Sequence, residues 1–313
     1  MSDTFQPAYL EAYETGVLKK RIAAANDLLK SCSLCPRKCH VNRLDGDSLG
    51  ICKTGRNAWV SSYHQHFGEE APLVGEKGSG TIFFTHCNLL CNFCQNFDIS
   101  HEGSGKEVTH EQLAAMMIDL QQAGCHNINF VTPSHVVPQI LSAVEIAVAS
   151  GLRVPLVYNS GGYDRVKTLR LLAGIFDIYM PDFKFWDVHI SDAACKAPDY
   201  PEVTRNAIME MHRQVGDLVI DPDGIVQRGV LIRHLVLPGG LAGTREIMQF
   251  IVTRVSKNSY VNIMPQYRPC GRAHEIPQLS KSVADDDFYQ ALKAAADEGI
   301  RRLDQAKRTF VIW

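Results

Sequence analysis

The sequence predicts an α/β fold, namely a partial (β/α)6 TIM-type barrel with an N-terminal Cys-rich metal-binding extension. Six short apolar runs alternate with helical segments, and such alternation is typical of a parallel sheet wrapped by helices. The runs lie between residues 76 and 270, whereas a complete eight-stranded barrel takes about 250 residues. An open doubly wound sheet is the alternative, but its G-x-G-x-x-G fingerprint follows none of the runs.

Local patterns predict the individual elements. Residues 8–30 are rich in Ala and Leu and lack an internal proline, which favours one helix. Thr109 opens a Thr-His-Glu-Gln capping box before an apolar-periodic stretch that Gly124 closes. The Asp-Pro-Asp-Gly at 221–224 predicts a hairpin over 217–227. The predicted strands are residues 81–84, 127–131, 154–158, 176–180, 229–237 and 260–264. The predicted helices are residues 109–123, 137–150, 164–172, a helical region through 211, and 244–256.

Composition and charge argue against several classes of function. The chain has 313 residues, of which 45% are apolar, and this is ample for a substantial core. A net charge of -2 and a pI near 6.6 argue against nucleic acid as a partner, because backbone phosphates require clustered positive charge. No apolar run approaches the ~20 residues that cross a bilayer, and no secretory signal is visible, so the expected location is the reducing cytoplasm.

The most specific motif is a loop directly after the first predicted strand. Cys87, Cys91 and Cys94 are spaced C-x3-C-x2-C, and three thiolates on one short loop can hold three corners of a cubane [4Fe-4S] cluster. The fourth iron then lacks a protein ligand and can bind another molecule. A structural zinc knuckle completed by a distant Cys or His is one alternative, and buried cysteines without a metal are another.

A second cysteine group lies nearer the N-terminus. Its members are Cys32, Cys35, Cys39 and Cys52. Four soft thiolates within about twenty residues predict a closed site, with a structural or electron-relay role. Zinc, a second [4Fe-4S] cluster and unmetallated cysteines all remain open readings.

Two histidines and two carboxylates precede the cysteine loop, namely His64, His66, Glu69 and Glu70. This set could bind a metal, but packing and hydrogen bonding beneath the loop are the commoner outcome for such residues. No site is predicted there.

Polar residues recur where the predicted strands end. In α/β barrels the functional groups gather at these carboxyl ends. The stretches are Cys87 to Cys94, Thr132-Pro133-Ser134-His135, Asn159-Ser160-Gly161-Gly162, Asp182-Phe183-Lys184, Arg233-His234 with Pro238-Gly239-Gly240, and Gln266-Tyr267. Their recurrence predicts a polar cup.

The cysteine loop resembles the cluster motif of radical S-adenosylmethionine (SAM) enzymes, including an aromatic residue, Phe93, before the last cysteine. The resemblance implies that Cys87, Cys91 and Cys94 hold a catalytic [4Fe-4S] cluster whose open iron is chelated by SAM. It further implies that an electron from the cluster cleaves SAM to a 5'-deoxyadenosyl radical.

Over residues 32 to 270 the chain is most similar to pyruvate formate-lyase activating enzymes, and within them to a branch of activating-enzyme homologues. Asp182-Phe183-Lys184 resembles their Asp-Leu-Lys motif, and Arg233 with the Pro-Gly at 238–239 resembles their fifth strand. The branch shares Cys-Pro-Arg-x-Cys, Gly-Ser-Gly-Thr-Ile-Phe-Phe, Cys-Gln-Asn, His-Asn-Ile-Asn-x-Val-Thr-Pro and Arg-His-Leu-Val-Leu-Pro-Gly. The family's Gly-Gly-Glu stretch is replaced by Thr-Pro-Ser-His at 132–135, and minimal activating enzymes lack the four-cysteine group.

A bound SAM needs donors for its carboxylate, an acceptor for its ammonium, polar partners for the ribose and an apolar slot for adenine. Asp182 and Lys184, two residues apart, can both point into the cup, with a plain ion pair as the alternative. Arg233 can bind a carboxylate through two hydrogen bonds. The predicted cofactor-binding residues are Phe93, Thr132, Ser134, His135, Asn159, Asp182, Lys184, Arg233 and Gln266.

The predicted function is SAM cleavage followed by hydrogen abstraction from a protein or peptide, as in a glycyl-radical activase. The resemblance implies a flavodoxin- or ferredoxin-type reductant. One alternative is a radical SAM enzyme acting on a small metabolite, with Cys270 or Tyr267 as hydrogen donor. The other is a non-catalytic iron-sulfur electron carrier, which leaves the polar cup unexplained.

The sequence predicts three regions. They are an N-terminal helix and four-cysteine metal-binding extension at 1–75, a radical SAM partial barrel at 76–270, and a C-terminal helical cap at 271–313.

Overall fold

A computed structural model of the protein describes residues 5–46 and 50–304. The helices are α1 (Ala8–Glu14), α2 (Val17–Asp27), α3 (Ala71–Val74), α4 (His110–Gln122), α5 (Val137–Ala149), α6 (Val166–Leu169), α7 (Val188–Cys195), α8 (Tyr200–Val215), α9 (Thr244–Phe250) and α10 (Asp285–Glu298). The strands are β1 (Ala58–His66), β2 (Ser79–Phe84), β3 (Lys106–Val108), β4 (Ile128–Val131), β5 (Leu156–Ser160), β6 (Ile178–Pro181), β7 (Val219–Ile220), β8 (Val226–Leu235), β9 (Tyr260–Met264) and β10 (Arg302–Leu303).

One sheet organises the chain. Its strand order is β10-β9-β8-β6-β5-β4-β2-β1-β3, and β7 pairs with β8. The strands from β2 to β10 along this order are parallel neighbours, whereas β1 is antiparallel to both β2 and β3. The six predicted strands are therefore consecutive members of one parallel sheet, and the α/β class is confirmed.

The two faces of this sheet differ. Phe130 and Tyr158 belong to the main core, which also contains the buried side chains of α4, α5, α8 and α9. Their neighbours on the opposite face, such as Val157 and Leu231, pack instead against Leu73 of α3. We call residues 68–74, which include α3, the plug. A doubly wound sheet carries helices on both faces, so the one-sided packing favours a barrel-like arrangement, whose closure stays a prediction.

Several predicted elements are confirmed in detail. The Thr109 hydroxyl accepts from the Gln112 N–H at 3.3 Å, and the Gln112 side chain accepts from the Thr109 N–H at 2.9 Å, which completes the capping box of α4. The hairpin around residues 221–224 is the antiparallel pair of β7 and β8. Both depend on local chemistry, which is the part of a fold that sequence specifies best.

Other predicted boundaries are wrong. The helix predicted over 8–30 is two helices, because Gly16 between them adopts a φ of 72° that only glycine takes readily. The strand predicted from 154 begins at Leu156, since Pro155 has no N–H for a ladder. The helix predicted over 244–256 is α-helical only to Phe250 and continues as a wider π-turn.

The segment from 55 to 80 contains β1, which the sequence analysis missed. The burial of β1 alternates only over its first half, and residues from Ser62 onward are largely exposed. β1 and the plug lie within the predicted extension, yet they contribute to the main sheet and to one of its faces. The predicted C-terminal cap contains α10 and β10, while its residues 305–313 lie outside the described residues.

None of the helices within 5–46 and 50–304 combines the length and apolarity that a membrane span requires.

Gly162 brings the ends of two strands together just beyond β5. Its φ is +77°, and a Cβ added there would lie 2.1 Å from the backbone oxygen of Asp182. The Gly162 carbonyl in turn accepts a hydrogen bond from Thr204 of α8 at 3.1 Å. The absence of a side chain therefore sets how closely the loop after β5 approaches Asp182.

We predict that Gly162→Ala destabilises the protein more than Gly174→Ala. Both glycines have a positive φ, +77° and +73°, so both substitutions carry a left-handed penalty of roughly 1–2 kcal/mol. Only at position 162 would the new methyl group collide with backbone, which adds roughly 1–3 kcal/mol, because nothing lies within 4 Å at position 174. Urea unfolding measures both losses, and equal losses would show that the close approach is unimportant.

Candidate active site

The cysteine loop begins where β2 ends. The Cys94 N–H donates to the Cys91 carbonyl at 3.1 Å, which forms a tight turn. The Leu89 N–H donates to the Cys87 Sγ at 3.3 Å, an interaction that favours the thiolate. Leu90 holds a φ of 56°, so the backbone reverses between the first two cysteines. The loop thereby brings its three thiols close enough to affect one another's pKa.

Burial keeps these thiols protonated in the metal-free chain. It raises the pKa of Cys87 to about 12, with a further contribution from Cys91, and it raises the pKa of Cys94. The pKa of Cys91 is raised mainly by a hydrogen bond with the Cys195 thiol and then by burial. Binding of a metal requires thiolates, so loading this loop would release protons.

The donor set of the loop fits three corners of an iron-sulfur cluster, since such clusters are held by cysteine thiolates and tuned by hydrogen bonds to their sulfurs. Across the described parts of the chain, no group of three or more His, Cys, Asp or Glu side chains is arranged to hold a single metal ion.

Arg37 ties the four-cysteine group to the cysteine loop. Its guanidinium donates to the backbone oxygens of Asn88 at 3.0 Å and Leu89 at 3.1 Å, both in the loop. It also donates to the carbonyls of Cys195, at 2.8 Å, and Lys196, at the end of α7. The planar fork of arginine suits such multiple contacts, and one side chain thus holds three segments together.

The four N-terminal cysteines, Cys32, Cys35, Cys39 and Cys52, line one cavity of about 10 Å³. Burial raises the pKa of Cys35 to about 12 and also raises the pKa of Cys52. Arg43 and His135 border the same cavity, and Arg43 lies 3.9 Å from the Cys32 Sγ. The four cysteines therefore border one cavity, and a metal at this position stays a prediction.

A cluster of charged side chains lies at the ends of β6 and β8. Lys184 Nζ and Asp182 Oδ2 are 2.5 Å apart. Burial lowers the pKa of Lys184, but the charge of Asp182 and their hydrogen bond outweigh this effect and the pKa is raised. Lys184 is therefore a permanent cation between Asp182 and the cysteine loop.

Arg233 joins this cluster from β8. Its Nε lies 3.5 Å from Asp182 Oδ1 and 3.5 Å from Glu70 Oε1, and its Nη1 lies 3.3 Å from Glu69 Oε2. Burial lowers the pKa of Arg233, but the three carboxylates together raise it. A SAM carboxylate at Arg233 would have to compete with these partners.

The remaining predicted SAM contacts are spread over different environments. Phe93 is buried and packs edge-to-face against Phe185 and Tyr267, with centroids 5.8 and 5.5 Å apart. Thr132 has a φ of 63° and its N–H donates to the Asn159 carbonyl at 2.9 Å. Phe93 is thus a packed residue of the cysteine loop itself. Thr132 and Asn159 lie at the ends of β4 and β5, respectively.

Three further predicted contacts face other partners. The buried Ser134 hydroxyl interacts with Asp164. The His135 ring contacts the Thr85 carbonyl at 3.0 Å, and burial lowers its pKa to about 3, so the ring is neutral. Gln266 is exposed, and its backbone oxygen accepts from Gln95 at 3.0 Å. These residues are not brought together with Asp182 and Arg233.

Sequence reasoning missed four residues of this region. Glu69 and Glu70 were assigned to packing, although two adjacent carboxylates before a buried strand were a usable signal. Cys195, which contacts Cys91, is a lone cysteine without a motif. Arg37 lies inside the quoted Cys-Pro-Arg-x-Cys stretch, but nothing in that stretch indicates its contacts with residues 88, 89, 195 and 196.

We predict that Arg37→Lys loosens the cysteine loop. A lysine cannot reproduce the forked contacts to four carbonyls, and the loss should be about 1–3 kcal/mol. Arg21→Lys is the matched control, because Arg21 makes one exposed contact, to the Arg170 carbonyl at 2.8 Å. Hydrogen exchange at residues 86–94, together with urea unfolding, measures the effect. Similar behaviour of the two variants would contradict the proposed anchoring role.

The chain is similar in sequence to an archaeal protein and, at lower identity, to solved structures. No family model matches it. It is 31% identical over 300 residues to the uncharacterized protein MJ0674 of Methanocaldococcus jannaschii, covering 94% of this chain and 82% of that protein. A radical SAM methyltransferase from Sphaerobacter thermophilus matches with a TM-score of 0.48 and 14% identity, over 71% of this chain and 65% of its own. HydG, a maturase of the [FeFe]-hydrogenase, matches with a TM-score of 0.48 and 12% identity, over 70% of this chain and 49% of its own. This chain thus spans less than two thirds of either solved structure. By its sequence, the chain belongs to the same family as the M. jannaschii protein.

Proposed function

We propose that this chain is a radical SAM enzyme that abstracts hydrogen from a protein or peptide, in the manner of a glycyl-radical activating enzyme. The observation that carries the proposal is the position of the three-cysteine loop. It follows β2 directly, and its Phe93 packs against Phe185, the residue after Lys184 beyond the end of β6, with ring centroids 5.8 Å apart. A cluster on this loop would therefore border the charged strand ends.

When bound, a [4Fe-4S] cluster supplies one electron, drawn from a flavodoxin- or ferredoxin-type reductant, that cleaves the SAM sulfonium to methionine and a 5'-deoxyadenosyl radical. The residues of the chain do the rest. Cys87, Cys91 and Cys94 hold the cluster as thiolates, and Lys184 offers an ammonium to an anionic group beside it. Asp182 orients Lys184 through their 2.5 Å contact.

The substrate assignment follows from the sheet. The seven parallel strands, with the long helices on one face, favour a partial (β/α)6 barrel. A barrel of this kind that is open at its side would suit an extended peptide better than a closed pocket would. The four-cysteine group, with zinc or a second cluster, supports the loop through Arg37. The proposed location is the cytoplasm, where thiols stay reduced.

A small metabolite is the alternative substrate, with Tyr267 or Cys270 as hydrogen donor. The Tyr267 hydroxyl already donates to the Leu279 carbonyl at 2.5 Å, which argues against that role for Tyr267. A non-catalytic electron carrier is the other alternative, and it offers no reason for the buried charges around Arg233.

We predict that replacing Cys87, Cys91 and Cys94 together by alanine removes about four irons per chain after anaerobic reconstitution. Cys125→Ala is the control, because Cys125 is a buried cysteine that lies outside both cysteine groups. Iron analysis and the visible absorption of the cluster provide the readout. Iron in the triple variant equal to that of the control would refute the assignment. Zinc or residual iron in the triple variant would locate a second site at Cys32 to Cys52.

We predict that the radical removes hydrogen from a peptide. Candidate protein partners carrying deuterated residues are incubated with the reduced enzyme and SAM, and 5'-deoxyadenosine is examined by mass spectrometry. Deuterium should appear in 5'-deoxyadenosine with a peptide partner, because selectivity comes from placing one C–H bond beside the radical. Deuterium from a small metabolite, and none from any peptide, would overturn the choice of substrate.

A further inference from the structure

Two adjacent carboxylates of the plug enter the polar cluster beneath the strand ends. The side chains of Glu69 and Glu70 are 7% and 2% exposed. Asn129 of β4 donates to Glu69 Oε1 at 3.1 Å, and Asn262 of β9 donates to Glu70 Oε1 at 2.6 Å. The plug thus presents both carboxylates to the sheet face that packs against it, which we call the inner face. Glu69 contacts β4 there, and Glu70 contacts β9.

The cluster holds more negative than positive charge. Glu69, Glu70 and Asp182 carry three negative charges when ionised, whereas Arg233 and Lys184 carry two positive ones, which leaves an excess of one negative charge. Buried carboxylates without full compensation are costly. Burial accordingly raises the pKa of Glu69 to about 7, although Arg233 opposes the shift. A bound cation would remove this imbalance.

Acceptor atoms in the same cluster lack donors. Among the described residues, Glu70 Oε2, Asn129 Oδ1 and Asp182 Oδ1 have no hydrogen-bond partner, and neither does the Arg233 Nε–H donor. Arg233 Nε lies 3.5 Å from Asp182 Oδ1, so a donor already stands beside that acceptor. Asn129 has no exposed surface. Buried acceptors of this kind are normally satisfied, and within the described residues two of them, Glu70 Oε2 and Asn129 Oδ1, remain without a donor.

The missing group is therefore a cation with several N–H donors. A primary ammonium carries one positive charge and three donors, so it would balance the excess charge and supply donors to both Glu70 Oε2 and Asn129 Oδ1. Access comes from the strand ends, because the side chains of Arg233, Asp182 and Lys184 are 21%, 18% and 14% exposed. An entering group would pass Lys184, which lies close to Cys91.

We propose that Glu69, Glu70 and Asn129 bind a primary ammonium group of the substrate, such as the side chain of a peptide lysine. This inference deepens the proposed function and rests on it. The ammonium anchors the substrate on the inner face of the sheet, and the C–H bond to be broken lies between this anchor and the cysteine loop. The site selects cationic over neutral side chains of the same length.

The test is calorimetric titration of the reconstituted protein under anaerobic conditions with saturating SAM. The probe is Nα-acetyl-lysine amide, and its uncharged analogue carries an acetyl group on Nε as well. The lysine probe should bind at least about tenfold more tightly than the analogue, the scale of one charged hydrogen bond. Equal binding of the two probes, or no binding of either, would overturn the proposal.

Two variants locate the site. Glu70→Gln and Glu69→Gln keep the size of the side chain, and each should weaken lysine-probe binding about tenfold or more. Glu210→Gln is the control, since Glu210 is a buried carboxylate, with a side chain 6% exposed, that pairs with Arg213 on the helical side. The control should bind like the wild type. Thermal unfolding identifies a variant that fails to fold. Binding of the lysine probe to the other glutamate variant then tests the site. Wild-type affinity in a folded Glu69 or Glu70 variant would refute the site.

Two competing ligands would also refute it. If Mg²⁺ displaces the probe from the wild type but binds Glu70→Gln weakly, the carboxylates form a metal site. If the probe binds only without SAM and competes with it, the carboxylates belong to the cofactor.

Formation of 5'-deoxyadenosine in the same preparation separates this inference from the proposed function. SAM cleavage without discrimination between the probes would defeat the ammonium site and leave the function intact. Selective binding of the lysine probe without SAM cleavage would support the ammonium site and contradict the proposed function.

Discussion

The inner face of the sheet depends on the ion pairs that the guanidinium of Arg233 makes. This guanidinium lies within 3.5 Å of carboxylates from two separate segments, Glu69 and Glu70 of the plug and Asp182 at the end of β6. Removing one partner from a buried ion cluster leaves an uncompensated charge, which is far more costly than the cluster itself. Arg233 therefore holds the plug against the sheet and fixes the strand end that carries Asp182 and Lys184.

The cysteine loop depends on a second, independent anchor. Arg37 reaches from the four-cysteine group to the carbonyls of residues 88 and 89, and also to the end of α7 beside Cys91. The loop is thus held by the N-terminal segment on one side and bordered by the charged strand ends on the other. This arrangement gives the N-terminal segment that carries Arg37 a structural role, because Arg37 contacts the cysteine loop directly.

Local chemistry made much of this fold predictable, and long-range pairing made the rest obscure. The capping box at Thr109, the hairpin at 221–224 and the six apolar runs each specify their own structure over a few residues. β1 was missed because its second half is exposed, so the alternation of buried residues that marks a strand stops after Val60. The pairing of the plug carboxylates with Arg233 spans 164 residues, so no local pattern could disclose it. The cysteine loop was predictable because its three cysteines are close in sequence, whereas Cys195 beside it was not.

Reductive cleavage of SAM is the most direct test of the proposed chemistry. Purified protein is reconstituted with iron and sulfide under anaerobic conditions, reduced with dithionite and incubated with SAM, and 5'-deoxyadenosine is quantified by chromatography. The account predicts 5'-deoxyadenosine and methionine in equal amounts, formed only when Cys87, Cys91 and Cys94 are all present. Intact SAM in a preparation that carries a fully reduced cluster on these cysteines would contradict it.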